Sequence, residues 1–133
     1  MPSFGERSKK ALDSAHPKLR QLFEEVVKSQ DCAILCGFRN EEDQEKAFLQ
    51  GFSKVHYPNS KHNSYPSMAV DVVPWPLDWK EERRFYRLSG YVQSVADRLG
   101  IKIRWGGDFN QDGNLRNDSF VDLPHYELVD DVS

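Results

Sequence analysis

An aspartate inside an apolar strand constrains this chain more than any other feature. Residues 68–73 read Met-Ala-Val-Asp-Val-Val, and this composition predicts a short buried strand. Alternation along a strand puts Asp71 on the face opposite Val70 and Val72. Burying a carboxylate costs on the order of several kcal/mol unless a positive group receives it. The fold must therefore bring a cation to this strand, and a metal ion is one candidate.

Two histidines could share such a metal with Asp71. His62 lies in a turn before the strand, and His125 lies downstream in the segment Asp-Leu-Pro-His. Two imidazoles and one carboxylate suit Zn²⁺ with a fourth position for water, whereas structural zinc sites are usually Cys-rich and closed. Asp122 could lie beside the metal and deprotonate that water. A histidine in a loop is more often polar surface, so a zinc hydrolase is one interpretation among several at this point.

Composition and charge exclude several classes of protein. The 133 residues predict one domain spanning 1–133, and we expect a monomer. A net charge of −3 without a Lys/Arg-rich stripe argues against nucleic-acid binding. The chain contains no apolar segment of about 20 residues and no leader-like start, so we expect no membrane span and no signal peptide. Cys32 and Cys36 are expected to be reduced, buried thiols.

The periodicity of apolar residues predicts an α+β fold. We expect a small antiparallel or mixed sheet with helices packed on one side. Residues 1–17 are expected to form an arm that ends at His16-Pro17, with Ser3 or Ser14 as possible helix caps. Trp75 and Trp79, in a Pro-rich segment after the Asp71 strand, are expected to pack against the protein rather than stack on a substrate. The predicted helices span about 17–29, 41–50 and 81–99, and the predicted strands 33–36, 68–73, 101–105 and 121–129.

An acidic segment between the last two predicted strands resembles the start of a calcium-binding loop. It has oxygen-bearing side chains at loop positions 1, 3 and 5 and a glycine at position 6. Position 12 is Ser119 instead of glutamate, so an acidic surface turn is the alternative. The candidate Ca²⁺ ligands are Asp108, Asn110, Asp112, Asn114 and Asp118.

Three short motifs together resemble a known enzyme family. They are Ser60-x-His62, Ala69-x-Asp71 and Asp122-x-x-His125, and they match the S-x-H, A-x-D and [DE]-x-x-H motifs of the zinc D-alanyl-D-alanine peptidases. That family includes carboxypeptidases, dipeptidases and the phage L-alanyl-D-glutamate endolysins. The segments Gly-Phe-Arg at 37–39, with Gln44 after it, and Trp-Gly-Gly at 105–107 also resemble the family. The resemblance covers about residues 33–128, and the phage endolysins are the most similar branch.

The resemblance implies a fold like that of these peptidases and a role for each matching residue. His62, Asp71 and His125 would bind Zn²⁺, and Asp122 would be the catalytic acid and base. Arg39 would stabilise the oxyanion. Ser60 would support the site or contact substrate. These six positions are the sequence-predicted zinc site.

The resemblance also implies a substrate and a place of action. The substrate would be the peptide stem of peptidoglycan, cut at its L-alanyl-D-glutamate bond to lyse the host. The enzyme would be made in the host cytoplasm and would reach the wall when a holin opens the membrane. Two alternatives remain: a D-alanyl-D-alanine carboxypeptidase on the same scaffold, and a non-catalytic binding module that keeps the metal site.

Overall fold

A computed structural model describes residues 2–107 and 122–129 of the chain. None of the helices in this described part combines the length and the apolar composition of a membrane span. Its elements, in chain order, are α1 (Glu6–Asp13), α2 (Pro17–Val27), β1 (Cys32–Cys36), α3 (Glu41–Leu49), a short 3₁₀ helix (Lys61–Asn63), β2 (Ala69–Pro74), α4 (Glu82–Leu99), β3 (Ile103–Trp105) and β4 (His125–Leu128).

The four strands form one antiparallel sheet in the order β1-β2-β4-β3. The predicted α+β class is confirmed, and within the described residues the sheet is antiparallel rather than mixed. β2 and β4 are neighbours, and their register pairs Asp71 with His125 and Ala69 with Glu127. Because directly paired residues point to the same face of a sheet, this register places Asp71, His125 and Glu127 on one face.

The opposite face of the sheet carries the hydrophobic core. Val70 and Val72 are fully buried there, together with apolar side chains of α1, α2 and α4. Phe23 of α2 meets Tyr126 of β4 edge to face, with ring centroids 5.4 Å apart. Each fully buried apolar side chain contributes roughly 1.5–3 kcal/mol. This packing therefore fixes the strands from one side and leaves the other face for polar residues.

The expectation of an arm over residues 1–17 is wrong, because α1 forms there. Phe4 and Leu12 are buried in the core. The buried Ser8 accepts a hydrogen bond from the Ile34 backbone N–H at 3.0 Å, which ties α1 to β1. The apolar positions of this helix are few and one inward position is a serine, so its amphipathic pattern is too sparse to predict it from sequence.

The junction between β1 and α3 places Arg39 beside the polar face of the sheet. The Asn40 side chain accepts a hydrogen bond from the Asp43 backbone N–H at 2.8 Å. This N-cap fixes where α3 begins. Arg39 immediately precedes the N-cap, and its backbone N–H donates to the His62 carbonyl at 2.8 Å.

Candidate metal centre and active site

Two imidazoles converge on one oxygen of Asp71. The His62 Nε2 atom lies 3.2 Å from Asp71 Oδ1, and the His125 Nδ1 atom lies 3.5 Å from the same oxygen. The two rings meet edge to face, with centroids 5.2 Å apart. Both histidines are buried. The structure thus brings together the three side chains that the sequence nominates as metal ligands.

The 3₁₀ helix that carries His62 is fixed by its own capping residues. The Ser60 hydroxyl accepts a hydrogen bond from the His62 backbone N–H at 3.1 Å, and the Ser60 N–H donates to the Asn63 side-chain oxygen at 3.0 Å. The Asn63 amide donates in turn to the Arg39 carbonyl at 3.0 Å. Ser60 therefore acts on the site by holding the turn that presents His62.

The second nitrogen of each ring has a hydrogen-bond acceptor as its partner. His62 Nδ1 lies 2.8 Å from the Gly37 carbonyl oxygen, and His125 Nε2 lies 2.7 Å from Glu127 Oε1. A carbonyl or carboxylate oxygen only accepts, so these ring nitrogens carry the N–H. The other two nitrogens then point lone pairs, or extra protons, at the Asp71 carboxylate. This donor set of two nitrogens and one oxygen, with its tautomers fixed, fits a divalent metal ion.

The electrostatics of the three side chains favour positive charge at their centre. Burial opposes a charge on His62, but the Asp71 carboxylate raises the pKa of His62 well above its ordinary value. Burial also opposes a charge on His125, and its hydrogen bonds to Asp71 and Glu127 raise its pKa. Burial would raise the pKa of Asp71, yet the two imidazoles hold it below its usual range. The pocket therefore attracts cations, whether protons or a metal.

Asp122 lies beside this cluster. Its carboxylate, that of Asp71 and a ring nitrogen of His125 fall within 4.8 Å of one another. Burial and the charge of Asp71 raise the pKa of Asp122 to about 6. A carboxyl group with a pKa near neutrality is suited to accept and return a proton. Its position depends on Gly106, because a Cβ atom there would collide with the Asp122 carbonyl oxygen.

Arg39 reaches the cluster from the β1–α3 junction. One terminal nitrogen donates to Asp71 Oδ2 at 3.3 Å, and the other donates to Gln44 Oε1 at 3.0 Å. Gln44 is fully buried, and its amide nitrogen donates to Ser53 Oγ and to the Val55 carbonyl, both at 2.8 Å. The guanidinium is thus oriented by Gln44 on one side and by the carboxylate on the other. Sequence analysis left Gln44 without a role, and the structure gives it one in positioning Arg39.

Two further residues at the site were not anticipated. Glu127 is buried behind His125 and also accepts a hydrogen bond from Arg104 at 2.8 Å. Cys36 is a free thiol as expected, but the expectation that it is buried is wrong, because the residue is half-buried. Its Sγ lies 3.9 Å from His62 Nδ1. Both could have been found from strand geometry, since Glu127 follows His125 by two residues and Cys36 pairs with Asp71 across the sheet.

The candidate catalytic side chains line an open cleft of about 930 Å³. Arg39, Asp71 and Asp122 are among its polar lining residues. A smaller cleft of about 360 Å³ lies on the other side of Asp122 and is lined in part by Ser60 and His125. A substrate in either cleft would contact Asp122. The predicted calcium ligands Asp108, Asn110, Asp112, Asn114 and Asp118 lie outside the described residues.

Comparison with known proteins identifies the family. Residues 2–129 match the family model described as phage L-alanyl-D-glutamate peptidase. The chain belongs to this family. The predicted resemblance is therefore confirmed, including the phage branch within it, and the chain is a peptidase by family.

Two relatives illustrate this membership in the peptidase family. The L-alanyl-D-glutamate peptidase of Escherichia phage T5 is 27% identical over 134 residues, which cover 95% of this chain and 97% of that protein. The crystal structure of the Serratia marcescens L-Ala D-Glu endopeptidase ChiX superimposes with a TM-score of 0.74 at 23% identity. The match covers 96% of this chain and 91% of that one, and it confirms the fold.

Proposed function

We propose that this family member is a zinc endopeptidase that hydrolyses the L-alanyl-D-glutamate bond in the peptide stem of bacterial peptidoglycan. The observation that carries the proposal is the convergence of His62 and His125 on Asp71, with fixed tautomers, next to the half-buried acid Asp122. Both named relatives are described as acting on this bond. Motifs, geometry and family membership thus support the same activity.

The side chains have distinct roles in this proposal. His62, Asp71 and His125 would hold Zn²⁺, which supplies Lewis acidity that lowers the pKa of water and polarises a carbonyl oxygen. Asp122 accepts the proton of the attacking water and returns it to the leaving amine. Because the pKa of Asp122 is raised to about 6, the group can perform both transfers near neutral pH.

Arg39 stabilises the negative charge that develops on the carbonyl oxygen. A guanidinium has five N–H donors, so the bonds to Asp71 and Gln44 can hold its plane while further donors meet the substrate. Such preorganised donors lower the barrier because they do not have to reorient during the reaction. The residues that orient Arg39 are therefore part of the proposed machinery.

The biological setting is part of the same proposal. Residues 1–133 would form one monomeric catalytic domain that is made in the host cytoplasm. It would reach the peptidoglycan when a holin opens the membrane, and hydrolysis there would lyse the host cell. The segment with Asp108, Asn110, Asp112, Asn114 and Asp118 would add a Ca²⁺ site.

Mass spectrometry of digested, purified cell walls tests the bond that is cut. We expect peptides that begin with D-glutamate and glycan strands that keep only L-alanine. Release of free D-alanine would instead indicate a carboxypeptidase. Intact walls, in the presence of a protein that binds one equivalent of zinc, would indicate a non-catalytic module.

Three substitutions test the assignment of roles. His125→Ala should abolish both zinc binding and turnover, whereas Asp122→Ala should keep zinc and lose nearly all turnover. His56→Ala is the matched control, because His56 is exposed and pairs with Glu45 on the surface. It should change neither zinc content nor turnover. Normal lysis of purified walls by Asp122→Ala would show that another group accepts the proton.

A further inference from the structure

Besides the candidate catalytic side chains, the cleft is lined by exposed apolar side chains, here called the apolar wall. Leu35, Phe52, Trp79 and Tyr86 line this wall and are 48%, 70%, 55% and 39% exposed. Large apolar side chains gathered in one concave surface usually mark a binding site rather than chance exposure. The cleft volume of about 930 Å³ is at the upper end for a drug-sized ligand, so it offers more room than one peptide bond needs.

Trp79 is the fixed element of this wall. Its ring stacks on that of Phe85, with centroids 5.4 Å apart and an interplanar angle of 18°, and Phe85 is buried in the protein. Phe85 therefore covers one face of the indole. The exposed surface of Trp79 consists of the other face and the edges of the ring. Trp79 packs against the protein through one face, as the sequence predicts, and lines the cleft with the rest of its ring. Trp75 is also about half exposed, but it lies in a different surface pocket.

Polar side chains line the same cleft as Trp79. Asp43, Lys46, Gln50 and Glu82 are among them and offer hydrogen-bond acceptors and donors to a bound ligand. A flat apolar face bordered by such groups matches a pyranose ring, which has C–H bonds on its face and hydroxyl or amide groups at its rim. An extended peptide alone would not need a stacking platform of this kind.

We propose that Trp79 stacks on the amino sugar that carries the peptide stem, so that the apolar wall of the cleft is a glycan subsite. The inference rests on the proposed function. In peptidoglycan the L-alanine is joined through a lactyl group to that sugar, so the bond proposed for cleavage lies one residue from a pyranose ring. Because the apolar wall and the catalytic side chains share one cleft, sugar and scissile bond can be bound together.

The test compares a disaccharide-tetrapeptide with the same tetrapeptide lacking sugar. Wild type should have the higher kcat/KM for the sugar-bearing substrate. Trp79→Ala should lower that value about tenfold, the effect of losing one good aromatic contact, and should change the value for the free peptide by less than about twofold. Trp79→Phe keeps the stacking on Phe85, and its kcat/KM for the sugar-bearing substrate should lie between the values of wild type and Trp79→Ala. Trp75→Ala is the matched control and should leave both values unchanged.

Several outcomes would refute the proposed glycan subsite. Equal turnover of both substrates by wild type would show that the sugar makes no contribution. An equal loss on both substrates in Trp79→Ala would mean that the indole acts on the peptide or on the fold. If wild type cuts neither substrate, the proposed function has failed. Calorimetric binding of the two compounds to wild type and Trp79→Ala then still tests the subsite, and equal affinities would refute it.

Discussion

Glu127→Gln is expected to weaken metal binding although it changes only one atom. In the native site Glu127 Oε1 accepts the His125 Nε2–H at 2.7 Å, and Oε2 accepts from Arg104 at 2.8 Å and lies 3.5 Å from Lys61 Nζ. Burial alone would raise the pKa of Glu127, yet the bond from His125 and the two cations keep it below its ordinary value. The ionised Glu127 carboxylate thus accepts one hydrogen bond from His125 and another from Arg104.

A glutamine amide cannot accept on both sides. Arg104 and Lys61 have only donors, so the amide oxygen should turn toward them and the NH₂ group toward His125. The His125 Nε2 atom would then have to accept, and its proton would move to Nδ1, which is the nitrogen that faces Asp71. A hydrogen bond to a charged group contributes roughly 1.5–3 kcal/mol. We therefore expect zinc affinity to fall about 10–100-fold, the usual effect of losing such a partner.

Competition with a chromophoric chelator measures the zinc affinity directly, and ¹⁵N spectra of the metal-free protein, recorded at a pH where the imidazole is neutral, report which ring nitrogen carries the proton. Glu25→Gln is the matched control, because Glu25 is a partly exposed helix residue that is remote from the site in sequence and pairs with Lys28 and Arg98. It should leave both readouts unchanged. If Glu127→Gln binds zinc within about threefold of wild type, with the proton still on Nε2 of His125, the reasoning about the tautomer is wrong.

Three other substitutions follow from the site, and a fourth serves as a matched control. Asp122→Asn should abolish turnover yet raise the free energy of unfolding of the metal-free protein by roughly 1–3 kcal/mol at pH 7, because burial and a neighbouring carboxylate raise its pKa to about 6. The folded pKa lies above the unfolded one, so the stability lost through ionisation grows between about pH 4 and pH 6 and is complete above that range. Urea denaturation should therefore show no gain from Asp122→Asn below about pH 4. Gln44→Met should lower kcat about tenfold with a smaller change in KM, because Arg39 loses the acceptor that orients it. Gly106→Ala should reduce turnover at least tenfold by displacing Asp122, whereas Gly90→Ala, with open space around it on an exposed face of α4, should leave turnover unchanged and stabilise the helix by about 0.5–1 kcal/mol.

The regular apolar patterns were sufficient to predict most of the scaffold. The valines around Asp71 predict which face of β2 is buried, and the long amphipathic stretch before Gly100 predicts α4. This helix ends at Gly100, which has a positive φ of 73°. These patterns are local, so a single sequence contains them. The short helix α1 was not predicted. One of its inward contacts is the hydrogen bond between Ser8 and Ile34 of a strand distant in sequence, and this contact has no local sequence signature.

The supporting residues of the site were harder to predict for a related reason. Gln44 on a helix and Glu127 on a strand are polar types that are usually exposed, so sequence alone suggests a solvated surface. Only the tertiary contacts show that both are buried and serve as acceptors for Arg39 and His125. A polar residue two positions from a candidate ligand on a strand is nevertheless a signal, since both side chains lie on the same face.

The two faces of β2 explain why one buried aspartate could indicate the site. Val70 and Val72 are fully buried against the helices, whereas Asp71 faces the imidazoles between them. A slip of one residue in the strand register would exchange the faces and put the carboxylate into the core, at a cost of several kcal/mol. The apolar contacts of one face therefore hold Asp71 opposite His125 on the other. Core packing and metal-ligand geometry are set by the same register, so substitutions that loosen the valine face should weaken metal binding without touching a ligand.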